Sequence, residues 1–509
     1  MKKLTGSEYY RLNAFQKLLY KILCFICAIP SHLANLGVTI WKGTKQFGRW
    51  VKDDVLDVIN TFRKGSWKTR LSYLIMGFGS LVRGQILRGV LFLVFEVVFI
   101  VYMLVAGCHW LGKFGTLGDV APGEVYSEVY DTFVRVDGDD SFKILLYGIL
   151  TIIFCIAFIY TWRINVRQNR ISEEILAKGR KLATGRQDLK ALLDDQFYKT
   201  LLALPITGIV VFTILPIVFM IFVAFTNYDG AHDGYSNLFT WVGLDNFNEL
   251  FSIGGASSNL SYTFGEILSW TLIWAFFATF TNYFLGMLVA LLINKRGIKL
   301  KKLWRGILVL TIAIPQFVSL LYISKMFAKN GLINGFLFDM GLISQPIEFW
   351  TNPTYARILV ILINIWVGIP YLMLIATGIL MNIPQDLYES AKIDGANVFQ
   401  QYTKITLPYM LFVTGPYLLT SFINNINNFN VIYLLTYGQV VEDPLLATGG
   451  QGATRVDLLI TWLFKITTGA TSNYKLAAVI AIMIFVVVAA LSLIVYNVMP
   501  ATRNEEDFQ

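Results

Sequence analysis

Apolar residues in this chain come in long unbroken runs rather than at the three-to-four spacing of a surface helix. Runs near 86–107, 142–162, 200–226, 267–293, 306–328, 356–381, 409–435 and 474–499 are each about twenty residues or more, the length that crosses the hydrocarbon core as a helix. The pattern predicts an all-α polytopic membrane protein with about eight transmembrane helices. A further apolar stretch near 18–38 is interrupted by Lys21, Pro30, His32 and Asn35, which suits a helix lying in the interface. Pro205, Pro216 and Pro315 predict kinks and nothing beyond shape.

Polar residues inside such runs are costly unless they face protein or a water-filled cavity. The seventh run holds SFINNINNFNVIYLL, residues 421–435, with five asparagines. Read as one helix, Ser421, Asn424, Asn425 and Asn428 fall at i, i+3, i+4 and i+7 on one stripe, while Asn427 and Asn430 turn away. Amides both donate and accept, and Phe422 and Phe429 stand among them. Amides with aromatics suit a neutral, hydroxyl-rich solute such as a sugar, whereas an ion calls for a carboxylate or arginine. Interhelical amide pairing that only holds a bundle together would leave the same pattern. In the sixth run, WVGIPY (366–371) predicts a helix loosened by Gly368 and Pro370, with the Tyr371 hydroxyl beside it. A purely structural kink would read the same way.

Charge between the runs orients them. The first 84 residues carry fourteen Lys or Arg against four acids, and the loop 108–141 reverses this with two basic residues against seven acids. Loop 163–199 carries nine basic residues, loop 227–266 none, and the connector 295–305 (KRGIKLKKLWR) is dense with them. Basic loops stay on the cytoplasmic side, so both termini are expected there. In the N-terminal region, Lys42, Lys45, Arg49 and Lys52 recur among Trp41, Phe47, Trp50, Val51 and Val55, the pattern of a basic amphipathic helix on a membrane surface, with docking to a partner protein as the alternative.

Composition agrees: 55% of residues are hydrophobic and 15% charged, against about a quarter charged in a soluble protein. The net charge of +9 follows from the cytoplasmic bias and attraction to anionic lipid, so no nucleic-acid partner is called for. Cys24 and Cys27 form a lone CxxC without a second pair, and Cys108, Cys155 and the three histidines are scattered, so no metal site is expected. No phosphate loop, HExxH or GxSxG appears. The pattern predicts solute passage rather than covalent catalysis. A secondary sugar transporter is the alternative, but within the runs the carboxylates are Glu96 alone, plus Glu266 at an edge, which is poor provision for ion coupling.

Between the sixth and seventh runs lies IPQDLYESAKIDGANVFQQYTKITLP, residues 383–408. Pro384 can open a short helix with Asp386 in its first turn, Gly395 can close it, and a second short turn then precedes Pro408. This segment carries a specific resemblance. Glu389-Ser390-Ala391, three residues, Gly395, nine residues, Ile405, one residue and Leu407-Pro408 are similar to the EAA signature of permease subunits in binding-protein-dependent ABC importers, with Ser390 replacing the middle alanine. FTNYDG (225–230), VGLDNF (242–247), IPQF (314–317), GIPY (368–371) and DLLITWLFKIT (457–467) resemble the MalF-type branch of sugar permeases, as does a six-helix core preceded by two extra spans.

The resemblance implies an oligosaccharide substrate, maltodextrin-like first and galacto-oligosaccharide second, delivered by an extracytoplasmic solute-binding protein. It implies as partners a second, MalG-like permease and two ATP-binding subunits that hold the ATP and Mg, with no cofactor on this chain. By the same resemblance Glu389, Ser390, Ala391, Asp394, Gly395 and Ala396 couple to the ATPase. The solute site comprises Val367, Gly368, Tyr371, Ser421, Asn424, Asn425 and Asn428. Two features depart from the pattern. LTYGQVVEDP (435–444) replaces the usual LTxGGP, so loop 436–475 is expected to meet the binding protein differently. The loop of about forty residues after the third run is also too short for a large outer domain, as expected of a Gram-positive setting. The organisation expected is a basic N-terminal region with interfacial helices (1–84), two extra spans (85–165), a cytoplasmic linker (166–199), the permease domain (200–500) and a cytoplasmic tail (501–509).

Overall fold

The computed structural model describes residues 14–136, 138–233, 238–251, 258–295, 297–440, 443, 446, 452–469 and 472–498. The tail 501–509, the side chains of Cys24 and Cys27, and parts of loop 436–475 lie outside them. The chain divides into two compact units at Trp241 and Val242.

The first unit opens with a 51-residue helix α1, Ala14–Lys64, followed by short helices α2, Trp67–Leu71, and α3, Phe78–Val82. Helix α4, Ile86–Phe114, is the first long apolar helix. The acidic loop beyond it contains a two-stranded antiparallel hairpin, β1 (Gly123–Ser127) with β2 (Thr132–Val136), pairing Gly123 with Val136 and Ser127 with Thr132. This qualifies the all-helical expectation. The Val, Tyr, Phe and Thr of EVYSEVYDTFVRV are strand formers, and outside the apolar run nothing compels a helix.

Helices α5, Ser141–Ala177, α6, Gly185–Leu193, and α7, Phe197–Val223, complete the unit. The far end of α7, a run the sequence reading assigns to the permease core, packs here through Phe142–Phe219 and Phe114–Phe222 ring contacts. The segment 66–85 folds onto α5 through a buried polar cluster. Arg83 bonds Glu173 (2.8 Å), Asn169 (2.6 Å) and Thr69 (2.6 Å), while Asn165 accepts from the Gly77 amide at 3.1 Å.

The second unit comprises α8, Asp245–Phe251, α9, Ser258–Asn294, α10, Lys301–Ala313, α11, Gln316–Met326, and α12, Leu332–Asp339. It continues with α13, Pro353–Leu380, α14, Gln385–Ile393, α15, Val398–Gln401, and α16, Leu407–Ile426. Helices α17, Phe429–Thr436, α18, Leu459–Thr468, and α19, Tyr474–Val498, close it. Among the described residues seven helices are long and apolar enough to span a membrane, or eight if α10 and α11 count as one.

Those two are not a kinked helix. They meet at 88°, with Ile314 and Pro315 extended between them. Proline removes the next helical donor and biases the residue before it away from the α region, so Pro315 breaks the fifth run where a simple kink was expected. Pro216 and Pro408 behave differently. Each follows a π-helical turn, Val210–Ile214 and Tyr402–Thr406 respectively, which widens the backbone where the proline cannot bond to the fourth carbonyl before it. The short turn expected before Pro408 is therefore continuous with the seventh span.

Candidate functional site

The core of the second unit has two apolar clusters with a polar layer between them. One gathers Trp270, Trp274 and Ala278 of α9 with Leu359, Val360 and Ile363 of α13 and Val431, Ile432 and Leu435 of α17. The other gathers Tyr283, Met287 and Ala290 of α9 with Met373 and Ala376 of α13 and Met410 and Leu418 of α16. Between the clusters each helix carries polar residues: Thr279 and Asn282 on α9, Asn364 and Tyr371 on α13, and Ser421, Asn424 and Asn425 towards the end of α16, with Asn428 just beyond it. Three helices thus bring their polar stretches to a common level, and lateral packing supplies the partners that lipid cannot.

The hydrogen bonds of this layer cross between helices. Asn425 donates to Thr279 Oγ1 at 3.0 Å, and the Trp274 indole donates to the Asn425 carbonyl at 3.0 Å. Asn428 donates to Asn425 Oδ1 at 3.3 Å, and Tyr283 and Thr414 share a bond of 2.9 Å. Asn282 sits against Gly368, where a Cβ would come within 2.3 Å of its Nδ2, so the glycine is what lets α9 and α13 meet here. Helix α13 runs unbroken through Gly368 and Pro370. The loosening expected there does not occur; the glycine serves a close helix approach instead.

The single amide stripe needs the same revision. Helix α16 ends at Ile426, Asn427 is its C-cap, and Asn428 caps α17 by accepting from the Val431 amide at 3.2 Å. Asn amides satisfy free backbone donors readily, so a run of them breaks the helix it would otherwise line. Ser421 and Asn425 are half-buried in the layer and Asn424 is exposed. Tyr371 is exposed on α13. Tyr417, a residue the sequence reading passed over, interacts with the Ser421 hydroxyl and lies within electrostatic reach of Tyr371. Val367 packs half-buried against the first apolar cluster. Gly368, Tyr371, Ser421, Asn425 and Asn428 are therefore in one layer, while Asn424 faces outward. Thr279 and Asn282 were also missed; their spacing of three within an apolar run, next to Tyr283, was the available signal.

Two buried polar atoms in this layer have no partner, Asn282 Oδ1 and Asn364 Nδ2. Among the described residues no cluster of three or more His, Cys, Asp or Glu is placed to hold a metal. The layer offers amides, hydroxyls and aromatic rings, a set that recognises neutral hydroxyl groups.

The segment 383–408 projects as a separate feature. Pro384 caps α14, and Gly395, at φ +78°, turns the chain after it. The Ala396 amide bonds the Ala391 carbonyl at 2.8 Å and the Gly395 amide bonds that of Lys392 at 3.0 Å, closing α14 with a glycine cap. Asn397 and Gln400 then form a capping box that starts α15. The Tyr388 hydroxyl bonds Thr406 Oγ1 at 2.8 Å, tying the projection to the π turn at the base of α16. Glu389, Ser390, Asp394 and Gly395 are exposed, with Ala391 and Ala396 half-buried behind them. Ile393 (87% exposed) and Phe399 (72%) stand out from the bend, a rigid knob with apolar tips.

Residues 282–504 match the family described as binding-protein-dependent transport system inner membrane component. The maltodextrin transport system permease protein MdxF of Bacillus subtilis is 34% identical over 454 residues, 88% of this chain and 99% of that protein. The galactooligosaccharides transport system permease protein GanP of the same organism is 30% identical over 82% of this chain and 94% of its own. The maltose/maltodextrin permease MalF of Klebsiella aerogenes is 36% identical over 256 residues, 50% of this chain and 48% of its own. With a relative matched along almost its whole length, the chain belongs to the permease family of binding-protein-dependent ABC importers, on its MalF-type branch.

Proposed function

We propose that this chain is the permease subunit through which an ATP-driven importer passes an oligosaccharide, maltodextrin-like α-glucans first and galacto-oligosaccharides second. The observation that carries the reading is the polar layer of three helices held between two apolar clusters, which is rich in amides and has no charged side chain among the residues that line it. Relatives named for maltodextrin and for galactooligosaccharides both align with over four fifths of the chain, which supports the substrate class and leaves both sugars as candidates. Within the layer Gly368, Tyr371, Ser421, Asn425 and Asn428 contact the solute, with Val367 and Asn424 at its margins.

The knob at 385–401 is the coupling element. Glu389, Ser390, Ala391, Asp394, Gly395 and Ala396 seat against an ATP-binding subunit, of which the assembly has two, together with a second permease and an external solute-binding protein. ATP and Mg are held by those partners. The basic loops and the knob share the cytoplasmic side of a bacterial cell membrane, as do both termini, with the permease domain over 200–500.

The test is uptake into proteoliposomes holding the assembled complex, its binding protein outside and ATP inside. Maltotetraose uptake is expected to require ATP and to fail in Glu389→Lys, although that variant still inserts and spans. Uptake that runs without the ATP-binding subunits, or that Glu389→Lys leaves at the wild-type rate, overturns the reading. Competition by a galacto-oligosaccharide that exceeds competition by maltodextrin reverses the order of substrates.

A further inference from the structure

Helix α1 is longer than anything the transport layer needs, and between Trp41 and Lys64 it presents three different faces. At 100° per residue, Asp54, Asp57 and Thr61 share one face. Arg163 donates to both oxygens of Asp54 at 2.8 and 2.9 Å and to Asp57 at 2.6 Å, and Arg170 also pairs with Asp57. The Tyr73 hydroxyl bonds the Val58 carbonyl at 2.7 Å. This face is clamped to α5.

A second face runs through Phe47, Val51, Val55, Ile59 and Phe62, with Trp41 beside it. Trp41 is 70% exposed and Phe47 63%, and Trp50 stacks on Phe47 with centroids 5.8 Å apart. Lys45, Arg49 and Lys52 form the third face along one edge of that stripe, and all three are exposed. Asp53, four residues after Arg49, shares this edge and offsets one of its charges, while Asp54 and Asp57 are neutralised by the arginines of α5, so with Lys42 the edge keeps a net positive charge.

The clamp also sets depth. Arg163 follows directly on the apolar run 142–162 of a spanning helix, so its guanidinium marks the boundary between hydrocarbon and headgroups, where long basic side chains place their charge. Asp54 and Asp57 are held at that level, and α1 with them. An exposed aromatic stripe edged by lysines and arginine at headgroup depth matches a helix lying in the membrane plane.

We propose that residues 41–62 of α1 bind the anionic lipid surface of the bilayer that the chain itself spans. The apolar stripe enters the headgroup and acyl boundary, and Lys42, Lys45, Arg49 and Lys52 engage acidic headgroups. The inference is independent of the substrate and of the coupling loop.

The experiment uses the full chain in lipid nanodiscs, with its native cysteines replaced and one nitroxide placed by Phe47→Cys, Val55→Cys or, on the charged edge, Arg49→Cys. Power saturation then reads collisions with oxygen, which enriches in lipid, against a water-soluble nickel chelate. In discs containing phosphatidylglycerol, positions 47 and 55 are expected to favour oxygen and position 49 the chelate. In pure phosphatidylcholine, positions 47 and 55 shift toward the chelate. The fourfold charge reversal K42E/K45E/R49E/K52E is expected to weaken the association about a hundredfold or more at low salt. Position 47 open to the chelate in both lipids overturns the proposal. Equal embedding in both overturns the assignment to anionic lipid. Protection that appears only when an ATP-binding subunit is added shows the face to be a protein contact instead.

Discussion

Gly368→Ala isolates the closest helix approach in the polar layer. The added Cβ would lie 2.3 Å from Asn282 Nδ2, 2.7 Å from its Cγ and 3.0 Å from its Oδ1, where carbon contacts are optimal at about 3.5–4.0 Å. The Asn282 amide must therefore give way by roughly an ångström, or α9 and α13 must separate. Asn282 is buried and the helices are packed above and below it by the two apolar clusters, so free rotation is blocked. An overpacked site of this kind costs about 1–3 kcal/mol. Asn282→Ala alone removes one long bond of 3.4 Å to the Asn364 carbonyl, worth about 0.6 kcal/mol for a membrane-buried pair. In the double variant the new methyl occupies the space the amide has left. The cycle should then show a favourable coupling of about 1–2 kcal/mol. Thermal unfolding of the four proteins in nanodiscs measures it, and ATP-dependent uptake by the same four reports on solute passage. Wild-type stability for Gly368→Ala, or strict additivity in the double variant, refutes the packing argument.

Asn425→Leu removes the bonds to Thr279 and Asn428 but keeps the backbone contact with Trp274. A stability loss of about 1–2 kcal/mol is expected by thermal melting, together with reduced uptake at unchanged ATPase assembly. Arg83→Met leaves Glu173 and Asn169 without a cation that is itself 3% exposed. Glu173 is 26% exposed and keeps its bonds from Ser66 and Thr69, so the loss is expected to be about 1–3 kcal/mol, and hydrogen exchange should show faster opening of 66–85. The hydrogen bond from Arg163, outweighing the effect of burial, lowers Asp54 below the 3.8 of a free aspartate. Because the docked value is the depressed one, this contribution is complete above about pH 3.8 and is lost as pH falls through the docked value. Limited proteolysis of α1 should therefore accelerate on acidification, and Arg163→Gln should flatten that dependence.

The projecting knob and the polar layer lie in the same unit, and one helix joins them. Helix α15, the π turn and α16 form a continuous path from the capping box at Asn397 to the amides at 421–425, with the Tyr388–Thr406 bond bracing its base. A displacement of α14 has a direct mechanical route into the polar layer, and the widened π turn is the point along it where the backbone hydrogen bonding already departs from regular helix.

The amino-acid sequence alone determined the membrane class, the positions of the apolar runs and the capped, bent segment at 383–408. Those features depend on local quantities: twenty consecutive apolar residues need no partner to declare themselves, and Pro384, Gly395 and Asn397 act on their own backbone. The concentration of asparagine at 421–430 was equally plain. What those amides do to the chain was decided by competition between side chain and backbone, since Asn428 satisfies the Val431 amide and ends a helix that periodicity would have carried on. Tertiary structure alone decided the fate of the prolines, because Pro315 breaks its run while Pro370 sits inside an unbroken, packed helix. It also decided the partners of the polar layer. Thr279 and Asn282 are unremarkable in an apolar stretch, and Gly368 reads as a hinge, until α9 and α13 are laid side by side and the missing Cβ proves to be the space the amide fills.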